Sequence, residues 1–205
     1  LIVGSIMSSV SSAASAALAT GSTRDQILGA ARELITTRSY LGFSFQDVAD
    51  AVGVRKASLY HHFPSKEALG VAVLREAIQG FRRWDEAKAR APREALDAYF
   101  RMCRNGLRAG SAVCPAGALT PGWDCIHDEL RRTVQELREL QVRWLAGVFG
   151  ALLSARPAEG GGPDAAALGA YVFAVCQGAL LASRMTGRVA DFDEAIAQLR
   201  SSLPV

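Results

Sequence analysis

Apolar residues recur at helical spacing through most of the chain, and long runs of strict alternation are absent, so the pattern predicts helices with little or no sheet. Ile27, Ala30, Ala31, Leu34 and Ile35 form a first stripe that ends near Arg38. Ser22 or Thr23 is placed to cap it, and Thr23-x-x-Gln26 has the spacing of a capping box. Phe45, Val48, Ala49 and Val52 form a second stripe, opened by Ser44 with a capping-box partner at Asp47. Gly53 then supplies the tolerance of positive φ that a tight turn needs. A very short third helix is predicted from about Arg55 to His62, with Leu59 and Phe63, four apart, facing the core. Ser65 caps a long helix whose inner face carries Leu69, Ala72, Val73, Ala77, Phe81 and Trp84, and Pro92 ends or restarts this run. Further helices are predicted over about 92–109, 124–154, 165–188 and 192–203. A Gly/Pro-rich joint at 110–122 and a flexible link at 156–164 separate them.

Composition sharpens this picture in a few places. At 205 residues, half of them apolar, the chain suits one mid-sized domain or a small domain joined to a larger one. Its net charge of +3 is too small to identify a nucleic-acid partner, so the position of the charge matters more than its sum. The four cysteines, Cys103, Cys114, Cys125 and Cys176, lack paired CxxC spacing, which favours a reduced, cytoplasmic chain over a disulfide scaffold. No uninterrupted apolar stretch is expected to reach membrane-spanning length, and no membrane partner is expected. The Ser/Ala-rich start resembles a secretory leader, but no basic residue precedes its apolar part and serines interrupt it. Met7 is the expected natural start, and residues 1–21 are expected to form a tail or a short extra helix.

The most informative segment is FQDVADAVGVRKASLYHHFPSK, residues 45–66: two short helices about a glycine turn, followed by a capped third. A helix-turn-helix has this layout because its second helix must project from the body to enter a major groove. Arg55, Lys56, Ser58, Tyr60, His61 and His62 crowd the projecting helix, anchored only by Leu59 and Phe63. Many donors on so few core contacts suggest an external polyanion, and Lys66 lies at a helix start, where free backbone N–H groups favour phosphate. From Ser22 to Lys66 the basic residues exceed the acidic ones by two, concentrated at this end. The plain alternative is a buried helical hairpin with a solvated charged face.

The run Val48-Ala49-x-x-Val52-Gly53-Val54-x-x-x-Ser58-Leu59-Tyr60-His61-His62-Phe63-Pro64-Ser65-Lys66-Glu67-Ala68-Leu69 resembles the DNA-binding signature of the TetR/AcrR family of bacterial regulators. The likeness covers about 23–74; the remainder resembles the family only in length and helix pattern. It implies an all-α fold: a three-helix helix-turn-helix domain at 22–68 and a helical ligand-binding and dimerisation domain at 69–205. It implies a repressor without cofactor, metal or catalytic residues, binding a double-stranded operator as a homodimer and released by a small-molecule inducer. It places Ser44, Gln46, Lys56, Ser58, Tyr60, His61 and Lys66 at positions that meet DNA. Ser44, Ser58, Tyr60 and Lys66 are assigned mainly to phosphates. Gln46, Arg55, Lys56, Ala57 and His61 are assigned to base edges or groove contact, with Ala57 suited to a thymine methyl.

The same resemblance implies a dimer interface built from the last two helices, where Gly169, Ala170, Ala174, Gly178, Ala179, Ala182 and Ser183 allow close approach. It also implies an inducer pocket among the middle helices, for which Tyr99, Cys103, Cys114, Trp123, His127, Trp144, Phe173 and Gln177 are the candidate lining residues, with plain core as the alternative reading of each aromatic. The joint around Cys114-Pro115-Ala116-Gly117 is similar to one in family members that respond to electrophiles, although Val113 stands where those have glycine. A cysteine at a helix start can have a lowered pKa and react as thiolate, whereas a small buried cysteine is inert. Four alternatives stay open: an activator of the same fold, a redox or electrophile sensor acting through Cys114, a helical adaptor that binds protein alone, and an enzyme. The last is disfavoured because His61-His62 and Cys125-x-His127 do not face common centres on a helix.

Overall fold

The computed structural model describes residues 21–87, 90–107, 113–155 and 164–204. All of the expected tail except Gly21 lies outside the described residues. Within them every regular element is helical: α1 (Thr23–Arg38), α2 (Phe45–Val52), α3 (Lys56–His62), α4 (Lys66–Glu86), α5 (Pro92–Gly106), α6 (Pro115–Leu119), α7 (Asp128–Ser154), α8 (Ala165–Thr186) and α9 (Val189–Ser202). Tight 3-10 turns cover Tyr40–Gly42 and Thr120–Cys125.

Local chemistry accounts for the boundaries. Ser22, not Thr23, caps α1. Its oxygen accepts from the Asp25 N–H at 3.3 Å, and the Asp25 carboxylate accepts from the Ser22 N–H at 3.1 Å, so the box closes through Asp25 and not Gln26. The Ser44–Asp47 box forms as its spacing suggests, and Gly53 ends α2 at φ 76°. Ser65 caps α4 by accepting from the Ala68 N–H at 3.0 Å. The helix expected from about 124 begins at Asp128 instead, because 120–125 winds as a 3-10 turn and Ile126, extended and 2% exposed, dips into the core before α7 starts.

Two hydrophobic cores result. The first joins α1, α2, α3 and the first half of α4 to α6 and to Leu130, Val134 and Leu137 of α7. The second joins Phe81 at the far end of α4 to α5, the second half of α7, α8 and α9. Helices α4 and α7 run side by side in the same direction, with Arg75 3.0 Å from Glu129 and Arg82 3.8 Å from Glu136. These exposed ion pairs mark the register and add little stability.

Helix α8 overturns one expectation. Over its 22 residues it is long and apolar enough to cross a membrane. It is apolar on more than one side: Val172, Phe173, Cys176, Ala179 and Leu180 enter the second core, whereas Tyr171, Leu181 and Met185 stand exposed.

The α7–α8 crossing depends on Gly169. A Cβ there would lie 2.8 Å from the Ala146 backbone nitrogen and 2.9 Å from the Val142 carbonyl oxygen, neither of which can rotate away. Gly169→Ala is therefore expected to lower stability by about 1–3 kcal/mol, by forced separation of the two helices. Thermal melting of the two proteins checks this.

Candidate nucleic-acid interface and interior cavity

Helix α3 is seven residues long and is fastened by two side chains: Leu59 is 0% and Phe63 3% exposed. Arg55 is its N-cap residue, and Arg55, Lys56, Ala57, Tyr60, His61 and His62 are exposed, with Ser58 half-buried. Among the described residues no hydrogen bond or ion pair occupies the side chains of Arg55, Lys56, His61 or His62. The Tyr60 ring stands edge-on to Phe45 at 5.1 Å, which holds it upright while half its surface faces solvent. The exposed side of α3 is thus a set of uncommitted donors on a helix that the core holds from beneath.

The residues beside α3 are more committed. The Ser44 hydroxyl donates to Asp47 at 2.6 Å, and the Gln46 amide donates to Asp50 at 2.7 Å. Hydrogen bonds from Ser44 hold the Asp47 carboxyl below its ordinary pKa. Lys66 turns inward. Its ammonium donates to the carbonyls of Tyr40 at 2.6 Å and Phe43 at 2.5 Å and lies 4.5 and 4.3 Å from their ring centroids. Partial burial pushes the ammonium below its ordinary pKa, with Asp47 acting in the opposite direction. Two of its three N–H groups are thereby spent on the chain itself. The sequence places Lys66 at a helix start; that the 40–43 turn offers it two bare carbonyls is set by the chain's path, with no local signal.

An interior cavity of about 710 Å³ lies where the two cores meet, walled by α1, α4, α5, α7, α8 and the joint before α6. Of the residues expected in a pocket, Cys103, Cys114 and Gln177 line it. Tyr99 and Trp144 sit behind the wall: Tyr99 donates to Gln141, and the Trp144 indole N–H donates to Asp85 at 2.7 Å. Phe173 belongs to the second core, and Trp123 packs at the edge of the first. His127 is exposed and paired with Glu67. These last three serve packing or a surface ion pair and do not line the cavity. Sequence reading missed Thr36 of α1, Phe81 and Trp84 of α4, Met102 of α5 and Gln141 of α7, which do line it. Only Gln141 carried a signal, as a polar residue on the apolar stripe of α7.

Of the two readings of Cys114, burial favours the inert thiol. Burial pushes its pKa up, and the α6 backbone N–H groups of Ala116 and Gly117 and the Gln177 side chain offset this only in part. Five residues of α6 offer too short a dipole to overcome desolvation.

The end of α1 is tied to the larger body. Arg184 of α8 donates to the carbonyls of Thr36 at 2.8 Å and Thr37 at 2.6 Å, and the Val113 N–H donates to Thr36 at 3.3 Å. Ser39 follows at φ 67° and ψ 163°, a strained backbone for a non-glycine residue, and its hydroxyl donates to the Ala118 carbonyl at 3.0 Å.

Comparison with known proteins adds the following. The family model for bacterial regulatory proteins of the tetR family matches residues 27–73. The HTH-type transcriptional regulator EthR of Mycolicibacterium smegmatis is 26% identical over 146 residues, covering 67% of this chain and 62% of its own length. The HTH-type transcriptional repressor KstR2 of the same organism is 35% identical over 82 residues, covering 38% of this chain and 40% of its own. The chain thus spans less than two thirds of the length of these relatives. A TetR-family regulator from Agrobacterium tumefaciens superposes with a TM-score of 0.78 at 26% identity, covering 89% of this chain and 98% of that one.

The position of Lys66 yields a test. Lys66→Ala strips two carbonyls of their donor and is expected to destabilise the protein by about 1–3 kcal/mol. A side chain that served only as a phosphate contact would leave the urea midpoint unchanged, so chemical denaturation without any DNA separates the two roles.

Proposed function

The chain belongs to the TetR/AcrR family of bacterial transcription regulators, and on that premise we propose that it is a repressor that binds a palindromic operator as a homodimer and leaves it when a small molecule fills the interior cavity. The observation that carries this reading is the state of α3: two buried anchors below, uncommitted cationic and hydrogen-bonding side chains above. A short helix of this kind gains stability from its scaffold and has its outer face left over for a groove. In the proposed complex Ser58, Tyr60 and the remaining N–H of Lys66 meet phosphates, and Ser44 joins them by exchanging Asp47 for a phosphate oxygen. Arg55, Lys56, Ala57, His61 and the free edge of the Gln46 amide face the bases.

Dimerisation is supported by α8. Its exposed Tyr171, Ala174, Gly178, Leu181 and Met185 are spaced alternately three and four apart, which lays them on one stripe of the helix. Such a stripe of small and apolar residues suits close packing on a second copy of the same helix about a two-fold axis. The small residues expected here divide between two tasks, since Gly169, Ala179 and Ser183 face inward.

Ligand release is supported by the cavity's position. Gly29, Arg32, Glu33 and Thr36 of α1 form one wall, so a molecule that fills the space pushes on the helix against which α2 and α3 are mounted. Acting on DNA, the protein works in the cytoplasm.

Two measurements test the proposal. In gel shifts with DNA flanking its own gene, binding is expected to weaken steeply with salt, and Arg55→Ala and Lys56→Ala are each expected to lower the log–log salt slope by about 1 where they contact phosphate, or to change sequence preference where they read bases. Absence of salt-dependent binding by the wild-type protein defeats the reading. Leu181→Asp is expected to give a folded monomer in sedimentation, with unchanged helix content and lost operator affinity; a persistent dimer places the interface elsewhere.

A further inference from the structure

The cavity's inner chemistry selects among ligands. Its charged lining residues, Arg32 and Glu33, are exposed at the rim on α1, and the Arg32 guanidinium faces Glu76 at 3.9 Å. Deeper in, the wall is apolar or weakly polar, including Phe81, Met102, Leu137 and Leu180. The Thr36 hydroxyl is spent on its own helix, donating to the Arg32 carbonyl at 2.9 Å. Gln141 is different. It is 5% exposed, and its Oε1 accepts from the Tyr99 hydroxyl at 3.0 Å. Tyr99 is fully buried, and desolvation holds its phenol protonated, so it remains a donor and fixes which end of the amide it meets. The Gln141 Nε2 is thereby turned away from Tyr99, and among the described residues it has no partner, although the residue lines the cavity. The amide nitrogen therefore has hydrogens open to the cavity, and an acceptor oxygen placed there gains a directional bond that the apolar walls cannot supply.

We propose that the cavity receives an uncharged, mainly apolar molecule bearing a carbonyl-type oxygen, which accepts from the Gln141 Nε2, with Tyr99 as the positioning residue for that amide. A carboxylate is disfavoured, because among the described residues Arg32 is the one lining cation, it lies at the rim and is paired with Glu76, and no buried positive charge lines the cavity to offset the loss of water. The flat rings of Phe81 and Trp84 favour a planar apolar body, and the volume of about 710 Å³ admits a molecule of two or three fused rings.

This assignment rests on the ligand-switch reading above, and its test needs no DNA. Three probes share one skeleton: 2-acetonaphthone, 2-ethylnaphthalene and 2-naphthoate. Calorimetric titration of the full chain is expected to show the ketone binding about tenfold more tightly than the hydrocarbon, as one hydrogen bond allows, with the carboxylate weakest. Gln141→Leu is expected to bring the ketone-to-hydrocarbon ratio to about one without weakening the hydrocarbon. Tyr99→Phe, which frees the amide to rotate, is expected to lower the ratio part of the way. Thermal melting verifies that both variants fold. Preference for the carboxylate, an unchanged ratio in Gln141→Leu, or no binding of any probe overturns the assignment. Should the ketone bind through Gln141 yet leave the operator complex intact in a gel shift, the ligand class stands and the proposed switch falls.

Discussion

Helix α4 is shared by two hydrophobic cores, and most of the molecule's behaviour follows from that sharing. Leu69, Val71, Val73, Leu74 and Ile78 pack into the first core, and Phe81 into the second. Close-packed interiors transmit displacement, since side chains at native density have no slack to absorb it. Under the proposed function, a change in the packing around Phe81 and Trp84 would shift the same rod whose first turn, through Lys66, holds the 40–43 turn ahead of α2. The cavity lies beside α4 where the first core gives way to the second, between Ala77 and Trp84.

A second, polar connection runs parallel to this one. The carbonyls at the end of α1 need donors from outside their own helix, and they obtain them from Arg184 of α8 and the Val113 N–H. Ser39 is held in a strained conformation at the same point, with its hydroxyl on the joint that leads into the second half. Besides the shared first core, the amino-terminal helices are thus joined to the body by one continuous helix and one directional set of hydrogen bonds. Under the proposed function these are the two routes by which an occupied cavity reaches α3.

The same economy appears on α8. Its apolar residues exceed what one core can bury, and the excess forms a regular outer stripe. Under the proposed function a symmetric pair would cover this stripe and so set the separation of two α3 helices, which is what a palindromic site would require.

The sequence by itself determined the helices, the Ser44–Asp47 and Ser65 caps, the glycine turn at 53 and the division of α3 into anchors and outward donors. Each of these depends on residues within about four positions of one another, and periodicity and capping operate over that range. The resemblance carried by residues 48–69 supplied the fold of the rest. Tertiary structure alone decided that Lys66 turns inward, that the Cys114 thiol is raised and not activated, and that Gln141 rather than Trp123, His127 or Phe173 faces the cavity. These outcomes depend on which carbonyls are left bare and what space is left open between helices distant in the chain. Neither quantity is written in the spacing of side chains along one helix.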